Sequence, residues 1–337
     1  MKEINVLLYG LGPIGLEVFK SCTRSNNITV IGGVDIDPNK VGKDLGEIAG
    51  LSNNGIKVTS SLSNIPHGAN HSVALHTTGS SVPQVWPQIK SLLDHGYSVV
   101  SSCEELSFPW VRYPELAKEI DQYAKDKGLF VIGTGVNPGF VMDSLAVFTS
   151  AVTRDIESIH ISRKVDVSKR RIPLQQKVGV GKTVEEFNAL AEENNIGHVG
   201  LEESLRLILN GLGLSQEKIK KSIKPTVTST DLELSSGHVG KGRVSGLHET
   251  AVSSGTIPIT LDLVMSVNVE EIDRIIFESK DLGHLEFTIP GGLFGDTVTA
   301  NVLVNVAQSL MFYRQQGLRT MTDIHTVRNI LDYEKLS

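Results

Sequence analysis

The chain begins with a short, nearly unbroken apolar run, Asn5-Val6-Leu7-Leu8-Tyr9. Runs of that length without alternation mark strands covered on both faces, as in parallel sheets. A glycine-rich turn follows, and a helical pattern through Val18, Phe19 and Cys22 comes next. Ile28 to Val34 reads as a second strand, ending at Asp35, and Ser72 to Leu75 starts a third. Val85 to His95 reads as helix with Pro87 in its first turn, Tyr97 to Ser101 as strand, Tyr113 to Lys127 as helix and Leu129 to Ile132 as strand. Strand and helix alternate at the spacing of βαβ units, which predicts a doubly wound parallel sheet.

The pattern changes near Gly133. The segment Gly133 to Phe140 is rich in turn residues, and a helix is expected from about Met142 to Val152. Longer, alternating strands then begin, as at Ile159, Ile161, Val165 and Val167. Helices at about 184–194 and 201–212 interrupt them, and strand patterns return at 225–235, 257–268 and 272–279. This half predicts an α+β domain with an open mixed sheet. A last helix, Thr299 to Tyr313, places Ala300, Leu303, Val304, Ala307 and Leu310 on one face, with Asp296 and Thr297 before it as caps.

Composition narrows the possibilities. Of the 337 residues, 40% are hydrophobic and 21% charged, which describes a folded chain with ample core. A net charge of −6 argues against nucleic acid as a main partner. No run of about 18 apolar residues exists, so no membrane span is expected. Met1-Lys2-Glu3 leads straight into the first strand without a signal-peptide pattern. Two cysteines, Cys22 and Cys103, provide neither a disulfide framework nor a cysteine zinc site, so a cytoplasmic setting is expected.

Gly10-Leu11-Gly12-Pro13-Ile14-Gly15 forms G-x-G-x-x-G between the first strand and its helix. In that context the glycines allow a tight turn, close approach of a pyrophosphate, and close helix–strand packing. Asp35, at the end of the second strand, is placed to accept bonds from a ribose 2′- and 3′-hydroxyl. A carboxylate there favours NAD, while Lys40 nearby leaves NADP possible. Gly179-Val180-Gly181-Lys182-Thr183 looks like the end of a Walker A loop, but Gln176 stands where its first glycine belongs. The fold reading is therefore α/β. A Rossmann domain spans 1–137, an α+β substrate and dimerisation domain spans 138–297, and the C-terminal helix, about 298–337, returns to the first.

In open α/β sheets, ligands bind beyond the carboxyl ends of the strands. Thr77-Thr78-Gly79-Ser80, Ser101-Ser102-Cys103-Glu104-Glu105 and Thr134 to Gly139 fall there. Of the adjacent carboxylates Glu104 and Glu105, at most one faces a cofactor. Such a group is either a general base or an acid answering a helix dipole. The ten histidines are scattered without a metal-ligand pattern, so no metal is expected.

The residues resemble the 2,4-diaminopentanoate dehydrogenase family and the native amine dehydrogenases grouped with it. More distantly, they are similar to dihydrodipicolinate reductases and homoserine dehydrogenases. The matching segments span nearly the whole chain. They include Gly10 to Gly15, Val34 to Pro38, Ser102 to Leu106, Gly135 to Phe140, Arg170 to Gln175, Gly197 to Leu201 and Gly295 to Thr297. The resemblance implies NAD(P)-dependent oxidative deamination of an amine or diamino acid to ketone plus ammonia, or the reverse. It points to Glu104 as the base with Glu105 second, and to Thr77, Thr78, Gly79, Ser102, Cys103 and Asn137 beside the cofactor. Phe140, Arg171, Gln175, His198 and His248 would line the substrate pocket. Gln175-Gln176 stands where dihydrodipicolinate reductases carry paired histidines, which argues against reduction of their dicarboxylate ring substrate. Arg163, Lys164, Arg170, Arg171, Lys177 and Lys182 are the cations open to a substrate carboxylate. A homodimer through an apolar face of the second sheet is expected. Rival readings are another imine or carbonyl reductase of the same fold, or a non-catalytic dinucleotide sensor.

Overall fold

The computed structural model describes residues 3–69, 71–168, 170–313 and 316–324. In chain order the elements are β1 (Ile4–Tyr9), α1 (Pro13–Cys22), β2 (Ile28–Val34), α2 (Leu45–Ile48), β3 (Val58–Thr59) and β4 (Ser72–His76). Next come α3 (Val82–Asp94), β5 (Ser98–Ser101), α4 (Pro109–Arg112), α5 (Pro114–Asp126), β6 (Phe130–Gly133), α6 (Ser144–Thr149) and β7 (Ile156–Asp166). They are followed by α7 (Ile172–Lys177), α8 (Val184–Glu192), α9 (Leu201–Gly211), β8 (Ile219–Val227), β9 (Leu232–Leu234) and β10 (Gly237–Val239). The chain ends with β11 (Val244–Ser254), β12 (Pro258–Ser266), β13 (Ile272–Ser279), β14 (Gly283–Pro290), α10 (Gly295–Tyr313) and β15 (Gly317–Arg319). Contacts divide the chain into two units. The first holds residues up to Phe140 together with the segment from Phe294, and the second holds Val141–Leu293. The part of the expected C-terminal helix beyond 324 lies outside the described residues.

The first unit is a seven-stranded parallel sheet in the order β15-β6-β5-β4-β1-β2-β3. Its central strands are apolar at consecutive positions because both faces are covered. Val6, Leu8, Leu75, Val100 and Ile132 pack with α1 and α10, while Leu7, Ala74, Val99 and Val131 pack with α3 and α5. α10 buries the five apolar residues that its spacing puts on one face. It begins at Gly295, so Asp296 and Thr297 sit inside its first turn rather than before it. α3 begins at Val82, earlier than expected, with a proline in its first turn that is Pro83; Pro87 lies inside the helix.

The second unit is a six-stranded mixed sheet, β14-β13-β7-β12-β11-β8, and a separate β9-β10 hairpin. Only β7 and β12 run parallel; the other neighbours are antiparallel. β11 and β14 are absent from the sequence reading. β11 turns Glu249 and Ser253 inward together with Leu247 and Ala251, which erases the apolar alternation that would reveal it. The open face of this sheet is not the apolar surface expected. It carries His160, Lys164, Asp262, Arg274, Glu278 and Glu286, with Val252, Val264 and Ile276 half-buried among them. Among the described residues, no helix is long and apolar enough to cross a membrane.

Candidate functional site

Strand register builds the site in the first unit. Tyr9 pairs with Val34 and His76, His76 with Ser101, and Ser101 with Gly133, so five strands end at one level. The ladder continues one residue further. Gly10, Thr77, Ser102 and Thr134 each donate their N–H to the last carbonyl of a neighbouring strand, at 2.8–2.9 Å. The segments starting at Gly10, Asp35, Thr77, Ser102 and Thr134 therefore emerge along one edge.

The glycine loop has the shape a dinucleotide needs. Gly10 has φ +90°, and a Cβ on Gly15 would lie 2.0 Å from the Gly10 carbonyl oxygen. No side chain is tolerated at Gly15, and this closeness aims the start of α1 at the turn. A Cβ on Gly12 would meet nothing within 4 Å, so the loop's outer surface is open where a pyrophosphate would approach. Pro13 occupies the first turn of α1, where a missing N–H costs nothing, and Ile14 follows half-buried. Asp35 is tied to the loop: Oδ2 accepts from Leu11 N–H at 2.7 Å, and Oδ1 from Asp37 N–H at 2.8 Å. Lys40 Nζ pairs with Oδ2 at 3.2 Å. Burial pushes the Asp35 carboxyl up, but these N–H groups and Lys40 outweigh it and hold the pKa below its ordinary value. The glycine cradle, the helix N-terminus and this ionised carboxylate fit an adenine dinucleotide.

The two adjacent glutamates separate clearly. Both lie in a short 3₁₀ turn, Glu104–Ser107, just beyond β5. Glu105 is buried, and its carboxylate accepts from Val82 N–H at 3.0 Å, Arg112 Nη1 at 2.8 Å and Tyr113 Oη at 3.0 Å. It caps α3 and ties it to the α4–α5 corner, which leaves it poorly placed for proton transfer. Glu104 is half-exposed, and no hydrogen bond or ion pair holds its carboxylate among the described residues. Cys103 points into the core, where burial pushes its thiol pKa up, so only its backbone could approach a ligand. Thr78 is exposed, and Thr77, Gly79 and Ser102 are half-buried at the same edge. Asn137 is buried beside them, in a cis peptide bond with Pro138, and the half-buried Phe140 ends the unit.

Several second-unit candidates are engaged by partners within that unit. Gln175 is fully buried and donates to the carbonyls of Val167, Ser168 and Arg170, so it staples a loop instead of facing substrate. His248 lies on the open face of the sheet, bonded to Asp262 at 2.8 Å, opposite in strand parity to the inward Glu249. His198 donates its backbone N–H to Glu249 at 2.9 Å, and its buried Nδ1 has no partner among the described residues. Burial, with Lys177 and Arg163 nearby, pushes its pKa down to about 3. Burial also raises Glu249. Arg171 is exposed at the start of α7. Arg163 is committed to both oxygens of Asp273, at 2.6 and 2.7 Å, and Arg170 to Glu271 at 2.7 Å. That removes these two from the cations open to a substrate carboxylate. No group of three or more His, Cys, Asp or Glu among the described residues could hold a metal ion.

The sequence reading missed His76. It is fully buried beneath the edge and hydrogen-bonded through both ring nitrogens. Its only sequence signal is a histidine closing an otherwise apolar strand.

Known proteins share this fold. A curated 2,4-diaminopentanoate dehydrogenase from Acetoanaerobium sticklandii is 27% identical, over 98% of this chain and 96% of that protein. An amine dehydrogenase structure from Mycobacterium smegmatis superposes with a TM-score of 0.82 at 21% identity, covering 98% of this chain and 99% of that one. A dipicolinate-bound dihydrodipicolinate reductase from Paenisporosarcina sp. TG-14 gives a TM-score of 0.51 at 16% identity, covering 96% and 100% of the two chains. The model of the 2,4-diaminopentanoate dehydrogenase C-terminal domain matches residues 140–336, more than half of the sequence. The chain belongs to the 2,4-diaminopentanoate dehydrogenase family.

Proposed function

We propose that the protein is an NAD(P)-dependent amine dehydrogenase that oxidises an amine or diamino acid to ketone plus ammonia, and runs the reverse reductive amination. The observation that carries this reading is the Glu104 carboxylate, unpaired among the described residues, at the same sheet edge as the glycine cradle and next to a second glutamate that is fully engaged. A bound nicotinamide would supply the hydride acceptor for oxidation of the carbon bearing nitrogen, which converts the neutral amine to an iminium.

Glu104 performs the proton steps. It takes a proton from the substrate ammonium, so that the amine binds neutral. Being half-exposed, it passes that proton to solvent and is again a base when water attacks the iminium. Collapse of the carbinolamine releases ammonia. Asp35 holds the adenosine ribose, with NAD preferred, and the N–H groups at the start of α1 face the phosphates. Thr77, Thr78, Gly79, Ser102 and Asn137 position the nicotinamide half.

The first unit is assigned to the dinucleotide. The second is assigned to substrate recognition and self-association as a homodimer through its open sheet face. The cross-strand set His160, Asp262 and His248 supports polar pairing there, in place of an apolar seal. Two free, buried cysteines fit a cytoplasmic enzyme.

A panel of ketones with NADH or NADPH, with and without ammonium, tests the reading. Ammonium-dependent oxidation of the cofactor is expected. Turnover without ammonium would instead favour the carbonyl-reductase reading, and tight cofactor binding with no turnover would favour a sensor.

A further inference from the structure

The first unit buries one histidine at the end of its central sheet, and every polar atom of that ring has a partner. His76 closes β4 with no exposed surface. Its Nδ1 lies 2.8 Å from Ser101 Oγ, and its Nε2 lies 2.8 Å from Gln88 Oε1 and 2.9 Å from Thr78 Oγ1. Thr78 Oγ1 donates to Gln88 Oε1 at 2.6 Å, and Cys103 N–H donates to Ser101 Oγ at 3.1 Å.

Burial pushes the ring pKa down to about 4, so at neutral pH the ring carries a single hydrogen. An amide oxygen only accepts, so Nε2 carries the hydrogen and gives it to Gln88 and Thr78. Nδ1 is then an acceptor, and the Ser101 hydroxyl donates to it while receiving Cys103 N–H. The chain of bonds runs from the residue preceding Glu104, through Ser101 and His76, to Thr78 at the adjacent loop and Gln88 on α3.

We propose that His76 is a positioning residue that acts through its two ring edges, Nδ1 setting the Glu104 turn and Nε2 setting the Thr78 loop. This rests on the proposed roles of Glu104 and the Thr78 loop. The ring has no exposed surface, so it acts through these partners. A polar ring at this point in an apolar strand is costly to bury, and complete satisfaction of both edges is what makes it tolerable.

Two substitutions separate the edges. His76→Asn places an amide oxygen near the position of Nδ1 and keeps the Ser101 bond. His76→Gln reaches the position of Nε2 and keeps the Gln88 and Thr78 bonds. With the amine and NAD+ in steady state, His76→Asn should raise KM for NAD+ about tenfold and change kcat by less than about threefold. His76→Gln should do the reverse, lowering kcat about tenfold with KM for NAD+ nearly unchanged. Equal loss of both parameters in both variants, or no loss in either, would overturn the proposal. Long-range ¹⁵N–¹H spectra of labelled histidine give a readout independent of turnover. The cross-peaks that vanish in His76→Asn should show the Nε2–H tautomer, and an Nδ1–H or doubly protonated ring at neutral pH overturns the relay. If wild type turns over no amine, the functional reading fails while the spectrum still decides the relay.

Discussion

Removing the Glu105 side chain should unfold the first unit more readily while leaving its chemistry intact. The carboxylate accepts three hydrogen bonds, two of them at Oε2. Val82 N–H has no access to water once its acceptor is gone, since Val82 is fully buried. Such an orphaned donor costs about 1–3 kcal/mol. Tyr113 is half-buried, and the Arg112 side chain, at 32% exposure, turns to solvent more cheaply. Glu105→Ala should therefore destabilise by about 3 kcal/mol in total. Glu105→Gln should cost about half as much, because an amide oxygen can still serve Val82 and Tyr113 while its NH₂ group faces Arg112. Both tryptophans, Trp86 and Trp110, lie in this unit, so urea unfolding followed by their fluorescence reads it selectively. Glu104→Gln, whose side chain has no partner to lose among the described residues, should shift stability by less than about 0.5 kcal/mol. An unchanged urea midpoint in Glu105→Ala, or a folded Glu105→Gln that has lost turnover, would refute this division of labour.

Other expectations follow from the same geometry. Asp35→Ala should weaken NAD+ binding roughly ten- to a hundredfold by calorimetry, and NADP+ binding less; equal losses would remove Asp35 from ribose recognition. Gly15→Ala should abolish dinucleotide binding, because its Cβ would lie 2.0 Å from the Gly10 oxygen; wild-type affinity would contradict the packing. Stability should also fall in mild acid. His76 and His198 sit neutral in the fold with pKa values near 4 and 3, below their ordinary 6.5, so the unfolded chain binds more protons between those values. Their contribution is complete above about pH 6.5 and is lost as pH drops, by at most about 1.4 kcal/mol per unit for each ring. Urea midpoints by circular dichroism at pH 7 and pH 5 check this, and a higher midpoint at pH 5 would contradict it.

The parallel sheet was legible because its strands are apolar on both faces and its glycine loop lies between strand and helix. The pair Glu104-Glu105 was legible as a site but not as two different roles. What separates them is a set of donors on α3, Arg112 and Tyr113, and nothing local announces those partners. The start of α3 was misplaced for the same reason, since its cap comes from Glu105, 23 residues further on. β11 was hidden because the charge it buries, Glu249, is compensated by the backbone of His198, 51 residues away. Arg163 and His248 were candidates by residue type, and Gln175 by the family resemblance. Their commitments to Asp273, to loop carbonyls and to Asp262 exist only once the sheet is assembled.

The central claim is that Glu104 moves the protons of an amine oxidation. The most direct measurement is amine-dependent formation of reduced nicotinamide by wild type and Glu104→Gln, with diamino acids among the amines and cofactor affinity measured alongside. The account predicts turnover in wild type and a drop of about 10²–10⁴ in kcat for Glu104→Gln, with dinucleotide affinity unchanged. A Glu104→Gln enzyme that deaminates amines at the wild-type rate would contradict it.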